Sequence, residues 1–135
     1  MIVDSPIIYQ SVEEEIEEKW KPRNFGERFY GDTLLANALI YSRNVVTIKI
    51  VQDIKVPTVI EVARKLGVES PLIEDLSMAL GSSSLTLEEM CRVFSIFANE
   101  GKKSPLVFIK KIVDREGNVL EESAPPKELE NILSP

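Results

Sequence analysis

Apolar residues recur at helical spacing through the middle of the chain, and the first such stretch follows Gly31. Asp32 is a residue type that caps helix N-termini, so the pattern predicts a helix from Asp32 to about Tyr41. Its apolar positions fall on one face of a helix. They are Leu34, Leu35, Ala38 and Leu39. We therefore expect this helix to bury that face in a core.

Two further helices are predicted by capping boxes, in which a hydroxyl residue is followed three positions later by glutamate. The two pairs are Thr58 with Glu61 and Thr86 with Glu89. The first of these helices ends at Gly67; the second covers residues 87–100 and ends at Gly101. The first also carries a stripe that we expect to be buried, made of Val59, Val62, Ala63 and Leu66.

The apolar run 45–54 fits two kinds of element. Its β-branched residues alternate with polar ones between Val46 and Ile50, which favours a strand. Other residues of the run share one face of a helix, namely Val45, Ile48 and Val51. On the residues alone a strand is favoured and a helix stays open.

After Pro105 the pattern changes to short runs with strand propensity. Leu106–Val113 and Val119–Glu121 flank a turn at Gly117, which predicts a β-hairpin near 106–121. Residues 13–18 hold five glutamates in six positions and are expected to form a solvated acidic face. The elements together predict an α+β fold that is mainly helical.

The composition is that of one modest globular domain. The 135 residues are 44% apolar and 28% charged. No apolar stretch approaches the roughly 20 residues needed to span a bilayer. The first residues lack the basic and apolar regions of a signal peptide. The net charge of −6 repels a phosphate backbone, so we expect no nucleic-acid partner.

We expect no cofactor and no metal. The chain has no histidine, and it shows no zinc spacing, Gly-rich phosphate loop or acidic calcium loop. Its single cysteine, Cys91, lies in a helical stripe of apolar residues. That position predicts a packed thiol rather than a reactive one.

The candidate functional residues form the triplet Ser42-Arg43-Asn44, which separates the first predicted helix from the run 45–54. Serine and asparagine are also common where helices end and turns form. On the triplet alone, a structural role is therefore the stronger interpretation.

The residues around the triplet follow a longer pattern. The order Gly31-Asp32-Thr33-Leu34-Leu35-x-x-Ala38-Leu39-x-x-Ser42-x-Asn44 closely resembles the second active-site motif of penicillin-binding transpeptidases. The lead-in Trp20-x-Pro22-x-Asn24-Phe25-Gly26 resembles the same family, and so do later stretches in the same order. These are Ala63–Leu72, Leu76–Ser82, Thr86–Met90, Phe97–Gly101 and Pro105–Leu120. The chain thus resembles an internal fragment of the transpeptidase domain of a class A (bifunctional) penicillin-binding protein.

The resemblance implies a partial domain, residues 1–135, of the penicillin-binding/serine β-lactamase-like transpeptidase fold, with most of the catalytic sheet missing. It also favours a helix for 45–54. The implied parts are a lead-in loop, a helical part, the β-hairpin and a truncated tail. Their bounds are 1–31, 32–101, 105–121 and 122–135 respectively.

The family's mechanism implies two catalytic residues in this chain. The serine of the second motif relays a proton to the leaving amine and its asparagine hydrogen-bonds the substrate amide, roles that the resemblance assigns to Ser42 and Asn44. Arg43 takes the variable position and is expected to point elsewhere. No serine here is followed by lysine three residues later, and no K-[ST]-G occurs. We expect both motifs outside these residues, so the isolated chain should be inactive.

The implied parent protein cross-links peptidoglycan stem peptides by serine acyl transfer and binds penicillin and other β-lactams. The family also implies a glycosyltransferase domain and a membrane anchor. The chain would meet a membrane only through that anchor. The implied location is the extracytoplasmic face of the bacterial inner membrane. Apolar surface left exposed by the missing sheet predicts a homodimer of the fragment. Two alternatives stay open: a non-catalytic helical protein-interaction module, and a pseudoenzyme that binds cell-wall peptides.

Overall fold

The computed structural model describes residues 1–8, 20–124 and 129–134. The predicted acidic face at 13–18 lies outside the described residues, as does part of the predicted tail. The chain divides into two units, and each is described by itself. The first unit holds Met1–Ile60 and Leu72–Ser84, and the second holds Glu61–Pro71 and Leu85–Pro135.

The first unit begins with a strand pair. Strand β1, Ile2–Asp4, runs antiparallel to strand β2, Gly31–Thr33, with Val3 opposite Asp32. Asp32 therefore lies in a strand, and the prediction that it caps a helix is wrong. The backbone pairing with Val3 of β1, 29 residues earlier in the chain, overrides the local capping preference of aspartate.

Helix α1 is short and covers Leu35–Ile40, with Leu34 as its N-cap residue. Ala38 is buried, but Leu35 is 60% exposed and Leu39 is 81% exposed. The prediction that this helix buries its apolar face is therefore wrong for the described chain. The periodicity marks the face correctly, but the described residues of this unit do not cover it.

Helix α2 covers Asn44–Ile54, so the run 45–54 is a helix, as the resemblance implied. Helical spacing gathers its apolar residues on one face, where Val45, Val46 and Ile48 are fully buried. Ile48 packs with Leu76, from the 3₁₀ helix Leu76–Leu80, and the indole of Trp20 lies against this core. Burial of the helical face outweighs the modest strand propensity of β-branched residues.

Helix α3 covers Val56–Leu66. Thr58 lies inside it, so the predicted capping box at Thr58 is wrong. Pro57 accounts for the earlier start, because its φ suits a helix and its missing N–H needs no partner in the first turn. Of the predicted stripe, Leu66 is buried but Val62 is 41% exposed.

Helix α4 of the second unit covers Leu87–Ala98 and begins with the predicted capping box. The Thr86 hydroxyl accepts a hydrogen bond from the Glu89 N–H, and the Glu89 carboxylate accepts one from the Thr86 N–H. Ile96 is completely buried on the inner side of this helix. A local sequence signal was sufficient here because both partners lie within one turn.

The apolar stripe of α4 faces solvent. Phe94 is 62% exposed and Phe97 is 58% exposed, and their rings meet edge to face. Cys91 lies on the same stripe and is exposed. The prediction of a packed Cys91 thiol is therefore wrong, because the described residues of this unit pack on the other side of α4.

Short strands complete the second unit. They are β3, Lys102–Lys103; β4, Lys111–Val113; β5, Val119–Glu122; and β6, Glu130–Asn131. Strand β3 pairs with β6, and β4 pairs with β5 in the predicted hairpin. The hairpin's first strand is shorter than expected. The carboxylate of Asp114 organises the turn, accepting hydrogen bonds from Asn118 N, Asn118 Nδ2 and Glu116 N.

Candidate active site at the Ser42–Asn44 turn

Helix α1 ends in a Schellman motif that places Ser42 in a left-handed conformation. The Arg43 N–H donates to Ala38 O at 2.9 Å and the Ser42 N–H donates to Leu39 O at 3.2 Å. Ser42 has a φ of +51°, at the position that most often holds glycine. The same motif ends α3, where Gly67 takes this position, as the sequence predicted. A non-glycine residue in this conformation carries a backbone cost, which Glu100 after α4 also carries at a φ of +53°.

Ser42 and Asn44 lie on the same turn, in different environments. Ser42 is exposed, whereas Asn44 begins α2 and is half-buried. The Asn44 Nδ2 donates to the carbonyl of Arg23 at 3.0 Å. Among the described residues, no donor reaches Asn44 Oδ1, so that oxygen is available to an external amide N–H.

Arg43, between these two residues, turns toward tyrosine rings. Its Cζ lies 3.3 Å from the ring centroid of Tyr30 and 5.4 Å from that of Tyr41. A stacked guanidinium of this kind contributes about 0.5–1 kcal/mol at an exposed site. Arg43 thus restrains the backbone between Ser42 and Asn44.

A buried hydrogen-bond network lies behind the turn. Asn24 is 4% exposed, and its Nδ2 donates to both carboxylate oxygens of Asp4, at 2.8 and 2.9 Å, and to Arg28 O. Its Oδ1 accepts the Val45 N–H at the start of α2. The sequence marked Asn24 only as part of the lead-in. It carried no signal that Asp4, which is 1% exposed, is its partner.

A second carboxylate network lies in the second unit, around Glu89. Hydrogen bonds, first from the Ser70 hydroxyl and then from the Thr86 and Ser70 backbone N–H groups, hold the pKa of Glu89 far below its ordinary value. The Glu89 carboxylate also accepts the Glu69 N–H at 2.7 Å. It joins the start of α4 to the segment after α3, which is a structural role.

Within the described ranges, no group of histidine, cysteine, aspartate or glutamate side chains is arranged to hold a metal ion. None of the helices seen there is long and apolar enough to cross a membrane. The turn itself presents a hydroxyl, an amide and a guanidinium, from Ser42, Asn44 and Arg43. They can bind a peptide-like group and pass a proton, but they include no activated nucleophile.

Three comparisons with known proteins all find similarity to penicillin-binding proteins. The family model described as penicillin-binding protein transpeptidase domain matches residues 3–134. Penicillin-binding protein 1A of Aquifex aeolicus is 37% identical over 116 residues, which is 86% of this chain and 16% of that protein. Penicillin-binding protein 1A of Pseudomonas aeruginosa is 34% identical over 128 residues, covering 94% of this chain and 15% of its own length.

Among solved structures, the crystal structure of penicillin-binding protein 1A from Haemophilus influenzae superposes with a TM-score of 0.82 at 29% sequence identity. The match covers 92% of this chain and 18% of that one. The chain thus spans about one sixth of the length of the relatives it matches, and its fold is part of the α+β transpeptidase fold.

Proposed function

This chain belongs to the penicillin-binding protein transpeptidase family, and from that premise we propose that it is one segment of a peptidoglycan D,D-transpeptidase active site. The observation that carries the proposal is the exposed Ser42, held in a left-handed conformation that glycine would adopt at lower cost, two residues before Asn44. We assign the second active-site motif of the family to these residues.

The proposed reaction is acyl transfer between cell-wall stem peptides. A serine nucleophile attacks the carbonyl of a D-Ala-D-Ala terminus, the amide bond breaks, and the leaving amine takes up a proton. Ser42 supplies the hydroxyl that relays this proton, and Asn44 Oδ1 accepts a hydrogen bond from the substrate's amide N–H. The nucleophile and its lysine belong to an S-x-x-K motif outside these 135 residues. Penicillin would acylate the same nucleophile.

The test uses a hybrid protein, in which residues 3–134 of this chain replace the matching segment of the Haemophilus influenzae relative. Fluorescent penicillin should label the hybrid covalently, whereas the 135-residue chain alone should take no label that survives denaturation. In the hybrid, Ser42→Ala and Asn44→Ala should each lower the second-order acylation rate constant by about 10²-fold, the size of a lost proton-transfer or hydrogen-bonding group.

Asn37→Ala is the matched control, because Asn37 is an exposed asparagine on α1 and should leave labelling unchanged. A hybrid that takes no label while the parent relative does would refute the proposal. So would equal labelling rates for the hybrid and its Ser42→Ala and Asn44→Ala variants.

The partners and location proposed for the longer protein follow from the family. They are stem peptides and β-lactams, with a membrane anchor and a glycosyltransferase domain at the extracytoplasmic face of the inner membrane. The names of the relatives, which are penicillin-binding proteins, support the β-lactam partner. Protease treatment of intact spheroplasts should degrade the longer protein; full protection of this segment would contradict the location.

The exposed apolar faces of α1 and α4 favour a second property, protein–protein contact. In the isolated chain these faces would pair two copies, whereas in a longer protein they would contact the rest of the domain. Light scattering should show a dimer of the 135-residue chain at high concentration. A monomer there would refute the homodimer. A non-catalytic interaction module would leave every labelling rate independent of Ser42.

A further inference from the structure

We propose that Asn24 is a positioning residue for Asn44, and that the buried Asp4 carboxylate holds Asn24 in the orientation this role requires. The inference rests on the function proposed above and extends it from the turn to the lead-in loop. It concerns residues that do not touch the substrate.

Two consecutive residues of the loop hold two consecutive residues of helix α2. The carbonyl of Arg23 accepts from Asn44 Nδ2 at 3.0 Å, and Oδ1 of Asn24 accepts from the Val45 N–H at 3.2 Å. The loop is therefore attached to the start of α2 at two adjacent points. A shift of Asn24 would move the Arg23 carbonyl away from the Asn44 amide.

The start of α2 needs such a partner. The first N–H groups of a helix have no acceptor within it, and the usual solution is a side chain at the N-cap position. The N-cap residue here, Arg43, provides no side-chain acceptor to the described part of the helix. Asn24 supplies the missing acceptor from twenty-one residues earlier in the chain, while Arg43 itself stacks on Tyr30.

Asp4 decides which way the Asn24 amide faces. An ionised carboxylate and a backbone carbonyl can only accept hydrogen bonds, so Asp4 and Arg28 O both require the NH₂ end of the amide. The Val45 N–H can only donate, so it requires the oxygen end. If the amide were reversed, its NH₂ group would face the Val45 N–H, so that two donors would meet. Its oxygen would face the Asp4 carboxylate, so that two acceptors would meet. The network therefore permits one orientation.

The consequence for the substrate site lies in Asn44. With its Nδ2 held by Arg23 O, its Oδ1 is kept free for the substrate's amide N–H. Without the Asn24 contacts the Asn44 amide loses that restraint and can rotate, so a smaller fraction of molecules presents the oxygen correctly. Asn24 thereby acts on the reaction only through Asn44.

A double-mutant cycle in the hybrid protein tests this dependence. Asn24→Asp keeps the size of the side chain but removes both amide donors. We expect it to lower the acylation rate constant at least tenfold when Asn44 is present, and by less than twofold in an Asn44→Ala background. If Asn24→Asp lowered the acylation rate constant by the same factor in both backgrounds, the inference would be refuted. Asn24 would then affect the reaction independently of Asn44.

Exchange of the pair provides the rescue. In the variant Asp4→Asn with Asn24→Asp, the amide at position 4 donates to the carboxylate at position 24, which still accepts the Val45 N–H, while Arg28 O loses its donor. The acylation rate constant should rise above that of Asn24→Asp alone without reaching the parent value, and no rise at all would count against the role of Asp4. If Asn24→Asp fails to fold, Asp4→Asn takes its place in the double-mutant cycle. It should then lower the acylation rate constant when Asn44 is present and by less than twofold in the Asn44→Ala background.

Two controls separate positioning from loss of stability. Asn118→Asp removes an asparagine–aspartate hydrogen bond of the same type in the hairpin, where Nδ2 of Asn118 lies 2.8 Å from Asp114. Gly101→Ala should destabilise the second unit, because the added Cβ would fall 2.2 Å from Leu133 O. Both should leave the acylation rate within twofold, measured well below their melting temperatures. If the unmodified hybrid takes no label, or Asn44→Ala changes nothing, the proposed function fails; if those results hold and the cycle shows no coupling, this inference alone fails.

Discussion

Replacing Ser42 by glycine should stabilise the chain while removing its proposed chemistry. A non-glycine residue in the left-handed region costs about 1–2 kcal/mol, and Ser42 sits there at a φ of +51°. Glycine relieves that strain but gives the unfolded chain extra freedom, worth about 0.4–1 kcal/mol. Because the Ser42 side chain is exposed, little packing is lost. The net expectation is a gain of about 0.5–1 kcal/mol in the free energy of unfolding.

Urea denaturation of the 135-residue chain measures this gain, and labelling of the hybrid protein measures the loss of function. Ser42→Ala is the first control, since alanine keeps the strained Cβ and should change stability little while slowing acylation equally. Glu100→Gly is the second. Glu100 has a φ of +53° at the equivalent position after α4, where the Gly101 N–H donates to Ile96 O at 2.9 Å.

Glu100→Gly should therefore stabilise the chain by a similar amount and leave acylation unchanged. A lower free energy of unfolding for Ser42→Gly would show that the left-handed serine is not strained. A Ser42→Gly hybrid that acylated as fast as the parent hybrid would refute the proposed proton relay, because glycine has no hydroxyl.

Two further predictions concern the second unit. Glu89→Gln should lower the melting temperature at pH 7, because the neutral amide cannot accept all the hydrogen bonds that Ser70 and Thr86 donate to the carboxylate. Since folding lowers the pKa of Glu89 from 4.5, the wild-type advantage should be complete above that value and shrink as the pH falls below it, which thermal melts at several pH values measure. A difference that persists unchanged to pH 2 would contradict this. Gly101→Ala should destabilise the chain by more than 1 kcal/mol, because the added Cβ would fall 2.2 Å from Leu133 O at a φ of +84°. An unchanged urea midpoint would show that the Leu133 segment yields freely.

Structural features that are formed by residues close together in the sequence could be predicted from it. The capping box of Thr86 with Glu89 and the helix end at Gly67 were both confirmed, since their partners lie within a few residues along the chain. The hairpin turn at Gly117 belongs to the same class. The run 45–54 was not resolved by propensity, because β-branched residues fit a strand and a buried helical face alike.

The candidate site shows the same division. The pattern around Ser42 and Asn44 placed both residues at a helix–helix turn from the sequence, with an order of residues long enough to indicate the family. The left-handed backbone of Ser42 was not visible there, because φ depends on how the chain continues from α1 into α2.

The amino-acid sequence by itself determined the family, the turn that carries the motif residues, and the helix ends that rest on local hydrogen bonds. Only the tertiary structure decided which faces are covered and which distant groups meet. It drew Asp32 into a strand with β1, left the apolar faces of α1 and α4 exposed, and brought Asp4 to Asn24 behind the turn. The physical reason is that capping and helix termination act within one turn, whereas burial and side-chain pairing depend on residues many positions apart, whose proximity is set by the fold.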